Sequence, residues 1–307
     1  MKELVVISGK GGTGKTSIVA SFAALADGKV LADCDVDAAD LHLILEPDIE
    51  VRESFTGGKL ARIDPERCNG CGTCVEFCAF DAIHESNNPN QQGGGAFRID
   101  PIDCEGCGVC ARFCPEHAIE LEPCVSGEWY VSKTRFGPMV HAKLGIAEEN
   151  SGKLVTLVRQ QARFVVAEKG LELIIVDGSP GIGCPVIASI TGADLILAVT
   201  EPTQSGLHDL ERVYQLTAHF RIPLCVCINK HDLNPLITAS IESIVSEWGA
   251  KVVGKIRYDR LVTEAQIHRV SVVEYSGGAV TQDIRRLWNS VACQLHVEPA
   301  VTGVSPK

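Results

Sequence analysis

The cysteine spacing constrains this chain more than any other feature of its sequence. A run of the form Cys-x2-Cys-x2-Cys-x3-Cys occurs twice, at residues 68–78 and 104–114, with an offset of 36 residues. Three cysteines at this spacing can surround one corner of a cubane, and the fourth begins a helix that leads away from it. Eight thiolates in two such runs therefore predict two [4Fe–4S] clusters.

The ligands of the two predicted clusters cross between the runs. In bacterial two-cluster ferredoxins the last cysteine of each run binds the cluster of the other run. A disulfide framework is disfavoured because nothing in the sequence indicates secretion, and zinc is disfavoured because its ligand pairs usually have longer spacers. The predicted ligand sets are Cys68, Cys71, Cys74 and Cys114 for one cluster, and Cys104, Cys107, Cys110 and Cys78 for the other.

A phosphate-binding loop is predicted near residue 10. An apolar run at 4–7 leads into a glycine-rich loop at 9–16, and a helical pattern follows from Ser17. In such a strand–loop–helix unit, backbone N–H groups face the phosphates of ATP or ADP, a lysine reaches the β- and γ-phosphates, and a hydroxyl binds Mg²⁺. The predicted nucleotide contacts are Gly11, Gly12, Thr13, Gly14, Lys15, Thr16 and Ser17, with Thr16 also the Mg²⁺ ligand.

Carboxylates follow two later apolar strands. Asp33, Asp35 and Asp37 alternate after the run at 30–32, where they would repel one another without a nearby cation or water network. The run that ends at Asp177 has the Walker B form, which delivers one carboxylate to the Mg²⁺ shell. Residues 178–181 then form a glycine-containing segment that can change its backbone angles, which is typical of a nucleotide-sensing switch.

The order of strands and helices predicts the fold. Apolar strands alternate with helical stretches, which indicates a parallel sheet covered on both faces, and Asn229 ends one strand as the expected adenine contact. We therefore expect a doubly wound parallel-sheet P-loop NTPase domain of the α/β class. The elements predicted are a hairpin from 129–132 and 138–142, strands near 172–177, 194–200, 223–228 and 251–256, and helices near 153–167, 205–220, 235–248 and 281–296.

The cysteine region interrupts the nucleotide motifs and predicts an inserted domain. We expect the discontinuous P-loop ATPase domain to occupy residues 1–57 and 126–300, and an α+β domain like bacterial ferredoxin to occupy 58–125. Residues 61–65 and 97–101 form an internal repeat, each preceding one cysteine run. Between the halves, the polar and glycine-rich stretch 87–95 is predicted to be a mobile loop.

A second lysine in the loop, Lys10, makes it resemble the deviant Walker A of the MinD/Mrp/ParA class of ATPases. That resemblance implies a sandwich dimer in which Lys10 reaches the partner's nucleotide, and a switch I in which Asp35 positions the attacking water. Further motifs resemble MinD-superfamily ATPases with an inserted ferredoxin domain. They are Lys10–Thr16, the two cysteine runs, Glu149–Val155 and Asp177–Pro185.

Composition limits the partners and the compartment. A formal net charge of −11 and a pI near 5.3 argue against nucleic acid as a partner bound through a basic surface. No apolar run approaches the roughly 20 residues of a membrane span, and no signal peptide is recognisable, so we expect a cytoplasmic protein without membrane insertion. The expected partners are a second copy or a related ATPase, and a redox partner or metalloprotein client.

Three functions fit these motifs. The favoured one is ATP-dependent electron transfer that serves metal-cluster metabolism. The alternatives are an ATPase that assembles or carries iron–sulfur or mixed-metal clusters, and a nucleotide switch of the MinD type with clusters as redox sensors. Cys184 adds an open question, because it follows Asp177 by seven residues, the offset of a cluster-binding cysteine in the nitrogenase iron protein. The competing interpretation is an ordinary buried cysteine.

Overall fold

A computed structural model describes residues 1–86, 97–145 and 151–297. The predicted mobile loop at 87–95, residues 149 and 150 of the family motif, and the end of the predicted ATPase domain at 298–300 lie outside the described residues. Strands in the described residues are β1 Lys2–Ser8, β2 Lys29–Asp33, β3 Asp48–Ile63, β4 Ile83–Glu85, β5 Phe97–Ile99, β6 Ile119–Thr134, β7 Gly137–Leu144, β8 Leu173–Pro180, β9 Leu195–Thr200, β10 Leu224–Asn229 and β11 Lys251–Ile256.

The predicted strands and helices after residue 150 are confirmed, with ends within three residues of those expected. The predicted hairpin is confirmed as well, but its first strand, β6, begins at Ile119, ten residues before the expected start. Short helices such as Cys184–Ile190 were not predicted, because fewer than two turns give little periodic signal. Helices in the described residues are α1 Lys15–Leu25, α2 Leu41–Leu45, α3 Thr73–Glu76, α4 Val109–Phe113, α5 Ser151–Lys169, α6 Cys184–Ile190, α7 Gln204–His219, α8 Pro235–Glu247, α9 Leu261–Ile267, α10 Val272–Tyr275 and α11 Ala279–Leu295, with a 3-10 turn at His231–Leu233.

The main sheet has nine strands in the order β11-β10-β9-β1-β8-β2-β7-β6-β3. The pairs β10–β11, β9–β10, β1–β9, β1–β8, β2–β8 and β2–β7 are parallel. The predicted α/β parallel-sheet P-loop fold is thus confirmed. Because parallel strands end at the same edge, the residues that follow β1, β2, β8 and β10 lie at one edge of the sheet.

Both faces of β1, which lies between β9 and β8 inside the sheet, are buried. Leu4 and Val6 belong to the same apolar core as Phe22 of α1 and Trp288 of α11, whose rings lie 4.9 Å apart. Val5 and Ile7 point to the opposite face and are also fully buried. A strand buried on both sides reads as a continuous apolar run, which explains why residues 4–7 do not alternate with polar residues.

The chain divides into two compact units. The first consists of Met1–Glu53, Trp129–Lys143 and Ser151–Lys307, and it contains β1, β2, β8, β9, β10 and β11. The second consists of Ser54–Glu128 and Leu144–Asn150, and it contains both cysteine runs. Among the described residues, no helix combines the length and the apolarity that crossing a membrane requires.

The second unit has an internal two-fold pattern. The N–H of Asp64, before the first cysteine run, donates to the carbonyl of Ala118 after the second run at 2.7 Å. The N–H of Asp100, before the second run, donates to the carbonyl of Ala82 after the first run, also at 2.7 Å. The antiparallel pair β4–β5 brings Ile83 opposite Ile99. Each half of the repeat is therefore completed by the segment that follows the other half's cysteines.

Candidate functional site

The phosphate-binding loop joins β1 to α1 in the first unit. Gly14 ends the loop with φ at 93°. This left-handed backbone conformation is unfavourable for residues with a side chain. A Cβ at Gly14 would also come within 2.5 Å of Nδ2 of Asn229, so both the backbone conformation and the available space favour glycine. Lys15 is the first residue of α1 and is buried. The predicted loop is thus present as a turn into a helix N-terminus, the geometry that binds phosphate.

Asn229 lies against this loop. Its Nδ2 donates to the Thr13 carbonyl at 2.8 Å, and its Oδ1 accepts from the Lys230 N–H at 3.0 Å. The end of β10 is therefore tied to the phosphate-binding loop by a side-chain amide. These contacts place Asn229 at the loop and give it a bracing role in the described structure; its predicted adenine contact remains a prediction.

Asp177 is the most distinctive electrostatic feature of this edge. The side chain is 1% exposed, and neither carboxylate oxygen has a hydrogen-bond partner among the described residues. Burial raises the pKa of Asp177 to about 6, although Lys15 and the nearby Thr16 hydroxyl act to lower it. A buried carboxylate in this state needs a cation, and Mg²⁺ takes oxygen ligands of this kind.

Asp33 is a candidate site residue that sequence reasoning passed over. It pairs in register with Asp177 across β2 and β8, and it is fully buried. One oxygen accepts the Asp35 N–H at 3.2 Å, and the other has no partner in the described part of the chain. Burial and the Asp177 charge raise its pKa well above the usual range. The alternation of three aspartates was the signal, but only the strand register shows which one faces Asp177.

The two predicted switch segments are joined by hydrogen bonds. The Ser179 hydroxyl donates to the Cys34 carbonyl at 2.7 Å, and the Cys34 N–H donates to the Asp177 carbonyl at 2.8 Å. The Gly181 N–H donates to the Ser8 carbonyl at 2.8 Å, at the start of the phosphate-binding loop. A displacement of one segment would strain its hydrogen bonds to the others, so we expect these segments to move together.

Lys10 is held by its own chain in this structure. Its Nζ lies 3.2 Å from the Ser205 hydroxyl and 3.8 Å from Oε2 of Glu201. Glu201 is also bound by Lys230, so two cations share this carboxylate. About a third of the Lys10 side chain is exposed, and such a partly solvated ion pair is a weak restraint. Lys10 can therefore leave this position at small cost.

The second unit has two cavities, each lined by four cysteines. One cavity, partly open to solvent, is lined by Cys78, Cys104, Cys107 and Cys110. The other is lined by Cys68, Cys71, Cys74 and Cys114. These are the two crossed sets expected from the spacing, and none of these thiols is in a disulfide. Four thiols around one cavity are the donors that an iron–sulfur cluster takes.

The backbone of the second run is shaped by a close approach. Gly106 has φ at 59°, and a Cβ there would lie 1.9 Å from the Lys59 carbonyl oxygen. The thiols differ in their surroundings: burial raises the pKa of Cys110 to about 11, whereas the Thr73 hydroxyl lowers the pKa of Cys71. The Ala118 N–H donates to the Cys114 sulfur at 3.3 Å. Burial also raises the pKa of Cys74, so each cavity has one buried thiol among its four cysteines.

Cys184 is exposed and begins α6, seven residues after Asp177. The interpretation as an ordinary buried cysteine is wrong, because the thiol lies at the surface where the helix starts. Gly152 of α5 packs against it, since a Cβ at Gly152 would contact Cβ of Cys184 at 3.4 Å. Among the described residues, Cys184 belongs to no group of three or more histidine, cysteine or acidic ligand atoms that lie within 4.8 Å of one another.

The loop, the paired carboxylates and the parallel sheet define a P-loop nucleotide-binding protein. The profile of the CobQ/CobB/MinD/ParA nucleotide binding domain family, CbiA, matches residues 4–272, and the chain belongs to this family. It is 31% identical over 294 residues to the uncharacterized protein MJ0578 of Methanocaldococcus jannaschii, covering 94% of this chain and 96% of that protein.

Solved structures show the same fold. The septum site-determining protein MinD of Pyrococcus horikoshii, complexed with Mg-ADP, superposes with a TM-score of 0.56 at 14% identity, over 94% of this chain and 95% of that chain. The cell division ATPase MinD of Pyrococcus furiosus gives a TM-score of 0.53 at 17% identity, over 95% and 98%. MinD and ParA members of this family are ATPases.

Proposed function

We propose that this chain is an ATPase that carries two [4Fe–4S] clusters and uses ATP-driven closure of a dimer to control electron transfer, serving metal-cluster metabolism. The observation that carries the proposal is the pair of four-cysteine cavities in a chain that also has a P-loop site. A nucleotide switch without bound clusters needs no such thiols. Two sets of donors, each enclosed mainly by apolar and glycine residues, are what an electron-transfer unit requires.

The nucleotide is held by residues of the loop and of β8. Lys15 and the N–H groups of residues 11–17 bind the phosphates. The Thr16 hydroxyl and the Asp177 carboxylate would hold Mg²⁺, which neutralises charge on the phosphate oxygens. The fit is supported by the unpartnered, buried oxygens of Asp177. Asn229 braces the loop through Thr13 and would contact the adenine base.

Hydrolysis requires two further residues. Asp35 lies at the same edge and orients the attacking water once Lys15 has turned to the phosphates. Lys10 would leave Ser205 and Glu201 and reach the nucleotide of a second copy, or of a related ATPase chain, where its charge stabilises the transferring phosphoryl group. This makes turnover depend on dimer closure, which is the step that ATP controls in the proposal.

The crossed cysteine sets would hold the two clusters, which supply one-electron steps. Zinc is the competing metal, and its sulfur ligands would lie about 3.8 Å apart, given a Zn–S distance of about 2.3 Å. In the described residues no three cysteine sulfurs lie within 4.8 Å of one another. This wider arrangement supports a multi-iron cluster over a single ion.

Metal analysis and spectroscopy of anaerobically purified protein test the proposal. We expect about eight iron and eight sulfide per chain, and electron paramagnetic resonance signals of reduced cubanes after dithionite. With Mg-ATP, a redox protein keeps its iron and passes electrons to an acceptor. Loss of iron and sulfide to an apo-ferredoxin acceptor would support a cluster assembly or carrier function instead. Zinc in place of iron would overturn the proposal.

A further inference from the structure

An exposed aromatic pair marks the surface of the second unit. The rings of Phe77 and Phe113 stack with their centroids 4.5 Å apart and their planes 13° from parallel. The side chains are 46% and 49% exposed, and Phe80 is 45% exposed. Large aromatic side chains grouped at a surface mark interaction sites more often than single exposed residues do. We call these three residues the phenylalanine face.

This face forms part of the wall of one cysteine cavity. Phe77 and Phe80 line the cavity of Cys78, Cys104, Cys107 and Cys110 while remaining exposed to solvent. Phe77 directly precedes Cys78, and Phe113 directly precedes Cys114. Each ring of the stack is thus bonded through the backbone to the cysteine that crosses to the other half. A partner in contact with the stack lies close to thiols of both sets.

The charge around this face indicates the partner's chemistry. Residues 54–128 contain twelve acidic and five basic side chains. Three of the acidic residues, Glu76, Asp81 and Glu105, are exposed and adjoin the face or the cavity behind it. One exposed basic residue, Arg112, directly precedes Phe113, so the acidic residues outnumber the basic ones by three to one around the face. Two copies of so acidic a face would repel each other, and so would an anionic membrane or a nucleic acid. A protein with an apolar centre and a basic rim is complementary.

We propose that the phenylalanine face is the docking surface for a one-electron carrier protein whose contact surface is apolar with a basic rim. The inference rests on the proposed function, because the electron must come from clusters held by the cysteine sets. In the step that docking serves, the reduced chain loses one electron, the carrier's oxidised centre gains it, and no atom is transferred. The cluster held by Cys78, Cys104, Cys107 and Cys110 would then be the one that donates the electron to the carrier protein.

Oxidised cytochrome c, a basic haem protein, is the probe for this surface. The anaerobic, dithionite-reduced holoprotein is mixed with it in a stopped-flow instrument, and affinity is measured separately by calorimetry. We expect Phe77→Ala and Phe113→Ala each to lower the second-order rate and the affinity about tenfold. Glu76→Gln should lower the association rate and flatten its salt dependence. Val125→Ala, which alters an apolar side chain 58% exposed in the same unit, should change neither.

The outcomes separate this inference from the proposed function. Iron content and the electron paramagnetic resonance spectrum are recorded for every variant, and Phe113→Leu serves if an alanine variant loses iron. Intact clusters with unchanged rate and affinity in the phenylalanine variants would overturn the docking surface and leave the proposed function standing. A change in oligomeric state instead would assign the face to contact between copies. Absence of clusters from the wild-type protein would overturn both.

Discussion

The Nζ of Lys15 lies 3.3 Å from Oδ2 of Asp35, and both side chains are buried. The lysine of the phosphate-binding loop is thus paired with the aspartate of the predicted first switch segment. Burial raises the pKa of Asp35, and Lys15 opposes that rise. Phosphate oxygens of a nucleotide would compete with Asp35 for this one cation, so we expect nucleotide binding to release Asp35 from Lys15.

Asp35→Asn tests this exchange. The variant keeps the side-chain shape but no longer holds Lys15 by charge, so nucleotide affinity should be unchanged or higher. Hydrolysis should slow by about 100-fold, because the amide of asparagine is a weaker hydrogen-bond acceptor for the attacking water than the carboxylate of Asp35. Fluorescent nucleotide binding and phosphate release measure the two effects. Weaker binding in this variant would show that Asp35 supports the loop rather than competing for its lysine.

The two loop lysines should differ in what they control. Lys15→Ala should abolish Mg-ATP binding, since it removes the buried cation beside the phosphates. Lys10→Ala should bind nucleotide nearly as well as the wild type but lose turnover and ATP-dependent dimerisation. Equilibrium binding and light scattering with a non-hydrolysable analogue distinguish them. Lys2→Ala, which removes an exposed lysine paired with Asp194, is the control. Equal loss of binding in both loop variants would make Lys10 an ordinary loop residue.

Asp177 predicts a pH dependence of Mg²⁺ binding. Its pKa in the folded protein is about 6, above the usual 3.8, so it is ionised at pH 7.5 and takes up a proton as the pH falls through 6. Below pH 6, Mg²⁺ affinity should fall about tenfold per pH unit, because the ion must displace that proton. Mg²⁺ titrations of nucleotide binding at pH 5 to 8 measure this. A flat profile would show that Asp177 does not contact the ion.

The same residue should cost stability in the metal-free protein. Because its folded pKa is raised, the penalty is full above pH 6 and disappears as the pH falls toward 3.8. Asp177→Asn should therefore stabilise the protein in EDTA at pH 7.5 by about 1 to 3 kcal/mol. His141 acts in the opposite direction, since burial lowers its pKa to about 4 and stability is lost as the pH falls from 6.5. The comparison of variant with wild type isolates Asp177.

Cys78→Ser tests the crossing of the cysteine sets. Cys78 lies in the first run but lines the cavity of Cys104, Cys107 and Cys110. The variant should alter the signal of the cluster held by the second run and leave the other signal intact. Cys124→Ser, outside both cavities, should leave both signals and about eight iron per chain. Damage restricted to the cluster of Cys68, Cys71 and Cys74 would mean that the ligands do not cross.

Coupling between nucleotide and clusters is reciprocal if it exists. The chain enters the second unit at Ser54, after the switch segment of Asp35, and β8 with Asp177 follows its return to the first unit. If nucleotide changes the midpoint potential, reduction must change nucleotide affinity by the same free energy. Affinity for an ATP analogue is measured with oxidised and reduced protein, and potentials with and without the analogue. If both quantities are unchanged in the presence of an electron-carrier protein, the result would favour the cluster assembly or carrier function over ATP-controlled electron transfer.

The sequence by itself determined the elements whose signals are short-range. The apolar run at 4–7, the glycine loop and the helical pattern after it identify a phosphate-binding unit, because each depends on residues within a few turns of one another. The alternation of strands and helices likewise predicted the parallel sheet. The cysteine runs identified their own residues and predicted how they would be shared, since the spacing is a local property of the chain.

Tertiary structure decided the relationships that depend on register and on contact between distant segments. That Asp33 faces Asp177 follows from the pairing of β2 with β8, and a shift of one residue would turn one carboxylate to the other face. Asn229 binds the carbonyl of Thr13, which lies 216 positions away in the sequence. Phe77 stacks on Phe113, which lies 36 positions away. No local pattern encodes such contacts, because they exist only once packing has fixed the distances between segments.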